Sequence, residues 1–382
     1  MKVALVYDRV NKWGGAERVL LALHEMFPQA PLYTSVYEPT SAKWANVFPQ
    51  VYTSFLQGLT LRGWRAHHEW LAPLMPLAFE QFFFDEYDLV ISVTSEAAKG
   101  IITKPKTLHV CLCLTPTRYL WSGYEDYFSS KWLKVLSKPV VNYLRTWDKI
   151  AGQRPDFYIA ISQEVQKRIK KYYGRESEVI YPPIWRLGRV RKFSSQQLRT
   201  SSSIIASGAE QGADSENFVP SPRHDYFLIV SRLVPYKRID IAIEAFNILG
   251  WPLKIIGTGV ERTRLKKMAK NNIEFLQNLT DGELVSYYEN CRALIVPGAE
   301  DFGLAILEAQ SVGRPVIAFK AGGALETVVE GKTGKFFTPQ TKEALIKVLK
   351  DFNNKDYRQE DCIKNAQKFS KERFVKELLT YL

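Results

Sequence analysis

This 382-residue sequence has no uninterrupted apolar run of the roughly 18 residues that a membrane-crossing helix needs, so none is expected. Its opening, MKVALVYDRV, reads as a strand that starts almost at once, without the apolar core and small-residue cleavage site of a secretory leader. It has only four cysteines, Cys111, Cys113, Cys291 and Cys362, and their spacing fits neither a metal-ligand set nor a disulfide framework. Cys111 and Cys113 fall inside an apolar strand pattern and are expected to pack there. The expected compartment is the cytoplasm, with peripheral attachment to the cytoplasmic membrane face as a variant. No G-x-G-x-x-G follows the first strand, which argues against a dinucleotide oxidoreductase. No Asp-x-Asp pair offers a metal site, and the adjacent His67 and His68 lack a third ligand. No repeat of solenoid period occurs. The net charge of +12 is spread along the chain without a DNA- or RNA-binding motif, so no nucleic-acid partner is expected. An anionic small molecule or an anionic membrane surface suits this mild basic excess better.

What is present points to two α/β domains, since the length exceeds that of one typical core. The most informative stretch runs from Leu294 to Thr327, LIVPGAEDFGLAILEAQSVGRPVIAFKAGGALET. A buried parallel strand ends at Pro297-Gly298, a loop carries Glu300, and an apolar helix starting at Gly303 carries Glu308. A second strand and the Gly322-Gly323 turn complete a βαβ unit. Glu300 therefore lies at the carboxyl end of a strand, where open α/β sheets hold ligands. The N–H groups of Phe302, Gly303 and Leu304 are first-turn donors at the positive end of a helix dipole, suited to a phosphate or the polar edge of a sugar. Gly303, lacking a side chain, lets a ligand approach the backbone. Glu308, further into the helix, can accept two hydroxyls of a ribose diol. Either acid alone reads as solvated; both together, flanking a glycine helix start, read as a site.

Elsewhere the signals are weaker. Gly14-Gly15 precede an amphipathic helix and leave donors for a phosphate. Residues 51–84 are rich in aromatic and basic side chains and read chiefly as packing, with Arg62, Trp64, Arg65, His67 and His68 as an alternative acceptor or lipid surface. The strand 87–93 is followed by Ser95 and Glu96 at its carboxyl end, and the strand 107–114 ends at Leu114. Between 131 and 149, Leu133, Leu136, Val140, Leu144 and Trp147 recur at helical spacing, with Lys131, Lys134, Lys138, Arg145 and Lys149 on another face. Pro139 is expected to kink or divide that helix. A solvated basic face and a membrane-facing one are both open there. Residues 186–224 are Ser-rich and expected to form an interdomain linker, partly disordered. Beyond it, Arg232 and Lys237 follow a strand end, and Gly257-Thr258-Gly259 forms a turn after the next strand.

Glu300 and Glu308, with seven residues between them, resemble the E-x7-E signature of the family-4 retaining glycosyltransferases of the GT-B fold, the group-1 type. The flanking words EDFGLAILEAQSVGRPVIA and GGALETVVEGKTGKFF are similar to that family too. So are Gly14-Gly15-Ala16-Glu17-Arg18, the Thr115-Pro116-Thr117-Arg118-Tyr119-Leu120-Trp121 segment and Ser231-Arg232-Leu233 with Lys237. The resemblance covers nearly the whole chain apart from 186–224. It implies two Rossmann-like, doubly wound domains facing across a cleft. Residues 1–185 would bind the acceptor, 225–360 the nucleotide sugar, and a helix over 361–382 would cross back to the first domain. It implies that Glu300 contacts donor-sugar hydroxyls, Glu308 the ribose, and Arg232 with Lys237 the diphosphate. Gly257 would lie under the nucleotide, and Asn278 and Leu279 near the base.

Two positions depart from the family pattern. Leu114 replaces a histidine that in relatives reaches the donor sugar near C6, and Ile161 replaces an asparagine. The expectation is a metal- and cofactor-independent retaining enzyme moving a sugar from a nucleotide-diphosphate donor to a glycan or lipid-linked acceptor. Leu114 favours a 6-deoxyhexose or pentose over mannose or glucose, unless water or His109 serves the C6 hydroxyl. A phosphorylase of this fold, which would carry a lysine-bound pyridoxal phosphate, and a non-catalytic sugar-nucleotide binder are the alternatives.

Overall fold

The computed structural model describes residues 1–61, 68–127, 131–184 and 225–382. The linker expected at 186–224 lies outside the described residues, as do Arg62, Trp64, Arg65, His67 and the side chain of His68. Two α/β units are present, one of residues 1–183 with 371–382, the other of 184–370.

The first unit is built on seven parallel strands: β1 (Val3–Tyr7), β2 (Leu32–Thr34), β3 (Val51–Thr53), β4 (Leu89–Thr94), β5 (Leu108–Cys113), β6 (Phe157–Ala160) and β7 (Glu178–Val179). Their order, β3-β2-β1-β4-β5-β6-β7, reverses direction between β1 and β4. Runs such as LVISVT in β4 are wholly buried because helices cover both faces. Cys111 and Cys113 are buried in β5 as the pattern anticipates. At the reversal, the Asp8 carboxylate accepts hydrogen bonds from Thr94 Oγ1 (2.9 Å) and from the backbone N–H of Ser95, Ala97 and Ala98 (2.7–2.8 Å). It thereby ties the end of β1 to the turn after β4.

The second unit has six parallel strands: β8 (Phe227–Val230), β9 (Leu253–Ile256), β10 (Ile273–Leu276), β11 (Leu294–Val296), β12 (Val316–Phe319) and β13 (Gly334–Phe337). Their order is β10-β9-β8-β11-β12-β13, so the reversal falls between β8 and β11. One apolar layer, including Phe227, Phe246, Ile255 and Ile295, fills one side. Another, including Leu228, Tyr288, Leu294 and Ile306, fills the other.

One helical expectation is narrowed and two are corrected. The helix Lys131–Ala151 runs through Pro139 undivided. Pro139 lies on its exposed side, where water can serve the carbonyl the ring leaves without a partner. The expected apolar stripe is also split: Leu144 faces the core with Val141, whereas Leu136 and Val140 face outward with Trp132, Val135 and Tyr143. Finally, the single helix expected over 361–382 is two, Gln359–Gln367 in the second unit and Lys371–Tyr381 in the first. The break comes where Phe369 packs its ring on Phe302 and Ser370 bridges to Ile184, contacts that only the folded chain provides.

Candidate functional site

The reversal between β8 and β11 gathers residues far apart in sequence. After β8 the chain passes through Ser231 and Arg232 into a short turn, Pro235–Lys237. After β11 it passes Pro297 and Gly298 to Glu300. A hollow between these loops is lined by Ser231, Lys237, Pro297, Glu300, Gly303 and Ile306. The Lys237 ammonium forms an ion pair with the Glu300 carboxylate, both side chains being largely buried. The Glu300 carbonyl accepts from Gly323 N–H at 2.8 Å, which holds the acidic loop against the glycine turn after β12. Arg232 is exposed, and its guanidinium donates to the Tyr236 hydroxyl at 2.6 Å. The Lys237 ammonium lies 5.3 Å from the centre of the same ring. Tyr236 therefore sits between the two cations, a part the sequence reading missed.

Glu308 is no solvated helix acid. It lies on the helix Leu304–Ser311 and is only 6% exposed. Its Oε2 accepts the Tyr288 hydroxyl at 2.7 Å, both groups being buried. Tyr288 was missed as well. It lies near the end of the helix Asp281–Asn290, whose start is held by a reciprocal Thr280–Glu283 capping pair. Gly303 caps the Glu308 helix at φ 95°, a left-handed conformation that penalises any side chain. Phe302 is buried with its ring 5.6 Å from that of Phe369, and Leu304 is half-buried.

The turn at Gly257 has a structural reason as well as the one expected. A Cβ there would collide with the Ser231 carbonyl, so glycine lets this turn close beneath the loop that carries Arg232. Asn278 adopts φ 57°, and Leu279 packs on the core layer that contains Tyr288.

In the first unit, the helix Gly15–Met26 begins after extended Gly14, but its first turn holds the chain's own acid. Glu17 is buried and accepts the Tyr7 hydroxyl at 2.7 Å. A phosphate at Gly14-Gly15 would share the helix start with that carboxylate. Leu114, one residue past β5, is half-buried, and Ile161, one past β6, is buried. The suggestion that His109 serves a ligand hydroxyl is corrected. His109 is fully buried near the start of β5, about 16 Å of strand from Leu114, and its Nε2 meets Ser92 Oγ at 2.8 Å. Burial, with Arg154 and Arg175 nearby, lowers its pKa to about 3.

Sequence reading also missed a buried ion pair, Lys99 with Asp148, at 2.6 Å. Asp148 Oδ1 accepts from Thr117 at 2.7 Å as well, and Oδ2 accepts from Trp121 Nε1 (2.7 Å) and Tyr173 (2.9 Å). The pair thus holds the Thr115–Trp121 segment against the helix Lys131–Ala151.

Two parallel sheets of this order, the second with the Lys237–Glu300 pair at its reversal, give the chain the α/β architecture of the GT-B fold. Solved structures agree across the full length: Anabaena HepE in complex with UDP-glucose (TM-score 0.68, 20% identity, 100% of both chains) and a sucrose-phosphate synthase from Thermosynechococcus elongatus (TM-score 0.70, 15% identity, 100% of this chain and 98% of that one). Residues 213–369 match the family described as glycosyl transferases group 1. An uncharacterised glycosyltransferase of Methanocaldococcus jannaschii is 30% identical over 188 residues, 48% of this chain and 53% of that protein. A GDP-mannose-dependent phosphatidylinositol monomannoside mannosyltransferase of Mycolicibacterium smegmatis is 30% identical over 171 residues, 37% of this chain and 45% of its own length. The matched stretch spans about half the length of these curated relatives. The match to the group-1 glycosyl transferases thus falls on the stretch that carries Arg232, Lys237, Glu300 and Glu308.

Proposed function

We propose that this protein transfers a sugar from a nucleoside-diphosphate sugar, with retention at the anomeric carbon, to a glycan or lipid-linked acceptor in polysaccharide or glycoconjugate assembly. The observation that carries the reading is the Lys237–Glu300 ion pair in the hollow beyond the carboxyl ends of β8 and β11, with Arg232 on the loop after β8 and Glu308 on the helix that starts at Gly303. Arg232, Lys237 and the helix start at Gly303 neutralise the leaving diphosphate, without a metal ion. The bond from the anomeric carbon to the diphosphate breaks as the acceptor oxygen bonds that carbon on the same face. The acceptor proton passes to the departing phosphate oxygen. Glu300 accepts hydroxyls of the donor sugar, and Glu308 those of the ribose. Because Glu300 pairs with Lys237, an incoming diphosphate competes with that carboxylate for the ammonium.

Calorimetric titration with UDP and GDP tests this division. Glu308→Ala is expected to weaken nucleotide binding by about 1.5–3 kcal/mol, the worth of hydrogen bonds to a charged group. Glu300→Ala is expected to leave binding nearly intact and to damage transfer. The opposite pattern would exchange their roles, and no effect from either would remove the site.

The donor proposal rests on Leu114, which offers an apolar surface where the family pattern has a histidine. A buried C6 hydroxyl left without a partner costs about 1–3 kcal/mol, whereas a methyl group or hydrogen fits. A 6-deoxyhexose or pentose is therefore favoured over mannose or glucose. In competition assays of GDP-fucose against GDP-mannose and UDP-xylose against UDP-glucose, the wild type should prefer the first of each pair, and Leu114→His should shift preference to the second. A wild-type preference for the hydroxymethyl sugar would sink the idea.

We also propose docking to an anionic membrane through the outward face of the helix Lys131–Ala151. Trp132 (78% exposed), Val135, Leu136 (73%), Val140 and Tyr143 form an exposed apolar stripe three turns long, with exposed Lys138 beside it. Lys134 already pairs with Glu125, so the apolar stripe carries more of this proposal than the lysines do. Trp132→Ala/Leu136→Glu should abolish flotation with phosphatidylserine vesicles, and Lys134→Glu/Lys138→Glu should weaken it by about 1 kcal/mol per charge. Unchanged flotation in both variants would leave this face merely solvated.

A further inference from the structure

Tyr288 is fully buried, in an apolar layer with Cys291, Leu294 and Ala309. A ring needed only to fill space there requires no hydroxyl, and the opposite layer of this unit uses Phe227, Phe246 and Phe337 for that purpose. The Tyr288 hydroxyl has a definite target, Oε2 of Glu308, at 2.7 Å. The last torsion of a glutamate side chain is broad, so a carboxylate without a fixed donor can turn its plane freely. One short hydrogen bond from an immobile phenol removes that freedom. A carboxylate has about four acceptor positions, and the phenol uses one. Glu300 differs, since its partner is the ammonium of Lys237. The support extends outward: the Cys291 thiol donates to the Tyr288 carbonyl at 3.3 Å, and the helix that carries Tyr288 is capped at its start.

We propose that Tyr288 is a positioning residue for ribose recognition, its hydroxyl fixing the Glu308 carboxylate in the plane that accepts both hydroxyls of a nucleoside diphosphate. The proposal rests on the donor reading above. It assigns the ribose contact a second component contributed by a helix outside the E-x7-E stretch.

The test titrates wild type, Tyr288→Phe and Glu308→Ala with UDP, GDP and their 2′-deoxy counterparts, alongside thermal denaturation. For whichever base binds, the wild type should prefer the ribonucleotide by about tenfold or more. Tyr288→Phe should lose most of that preference, through weaker ribonucleotide binding and nearly constant deoxynucleotide binding. If Tyr288→Phe keeps the wild-type ratio while Glu308→Ala loses it, the positioning role is wrong and the donor reading stands. A lowered Tm with an unchanged ratio has the same meaning, since it shows a packing role only. If Glu308→Ala also keeps the ratio, or the wild type binds neither nucleotide, the ribose assignment fails and the proposal falls with it.

Discussion

Lys237→Ala is expected to lower kcat/KM by roughly 30- to 1,000-fold, the equivalent of about 2–4 kcal/mol of lost transition-state stabilisation. Arg232→Ala should have a smaller effect, because Arg232 is exposed and its contact to the diphosphate is better screened by water. Lys237→Ala also leaves the Glu300 carboxylate without its counter-ion. The informative measurement is therefore a double-mutant cycle with Glu300→Gln, in which coupling well above 0.5 kcal/mol is expected for residues in direct contact. Near-normal turnover in a folded Arg232→Ala/Lys237→Ala protein would remove the clamp from the mechanism.

Asp148→Ala is expected to be the most destabilising single substitution in the first unit. It strips the counter-ion from Lys99, a side chain only 1% exposed, and such losses cost about 3–5 kcal/mol. That corresponds to a fall in Tm of about 6–20 °C for a unit of this size. Burial opposes the Lys99 ammonium, yet Asp148 beside it holds its pKa above the ordinary lysine value. The raised pKa means the stabilisation is present at neutral pH and is lost only as pH climbs through the folded-state value. Replacing both charges, Lys99→Met/Asp148→Leu, should recover only part of the loss, because Thr117, Trp121 and Tyr173 still lose their acceptor. Full recovery would show that the charge pair alone matters and that the other donors contribute nothing.

The strand ends, the helix start at Gly303 and the spacing of Glu300 and Glu308 were legible in the sequence because each follows from residues within one or two turns of chain. A buried β-branched run stops at Pro297-Gly298 whatever surrounds it, and only glycine suits φ 95° at 303. The same local logic reached too far elsewhere. KNAQKFSKERF contains no glycine or proline to stop a helix, so the break before Lys371 could not be anticipated. The apolar spacing of 131–149 likewise does not say which of two stripes faces the core.

The inventory was therefore readable from the chain alone: two α/β units, the loops at their strand ends, and the charged residues those loops carry. The pairings came only with the tertiary structure. Lys237 meets Glu300 across 63 positions because β8 lies beside β11, a neighbour distant in the chain. Tyr288 reaches Glu308 across 20 because two helices pack against the same sheet. His109, a plausible ligand on paper, is removed from any site by its depth in β5. Local conformation follows from the few residues that make it. Which charges neutralise one another depends on strand order and burial, and these belong to the whole chain.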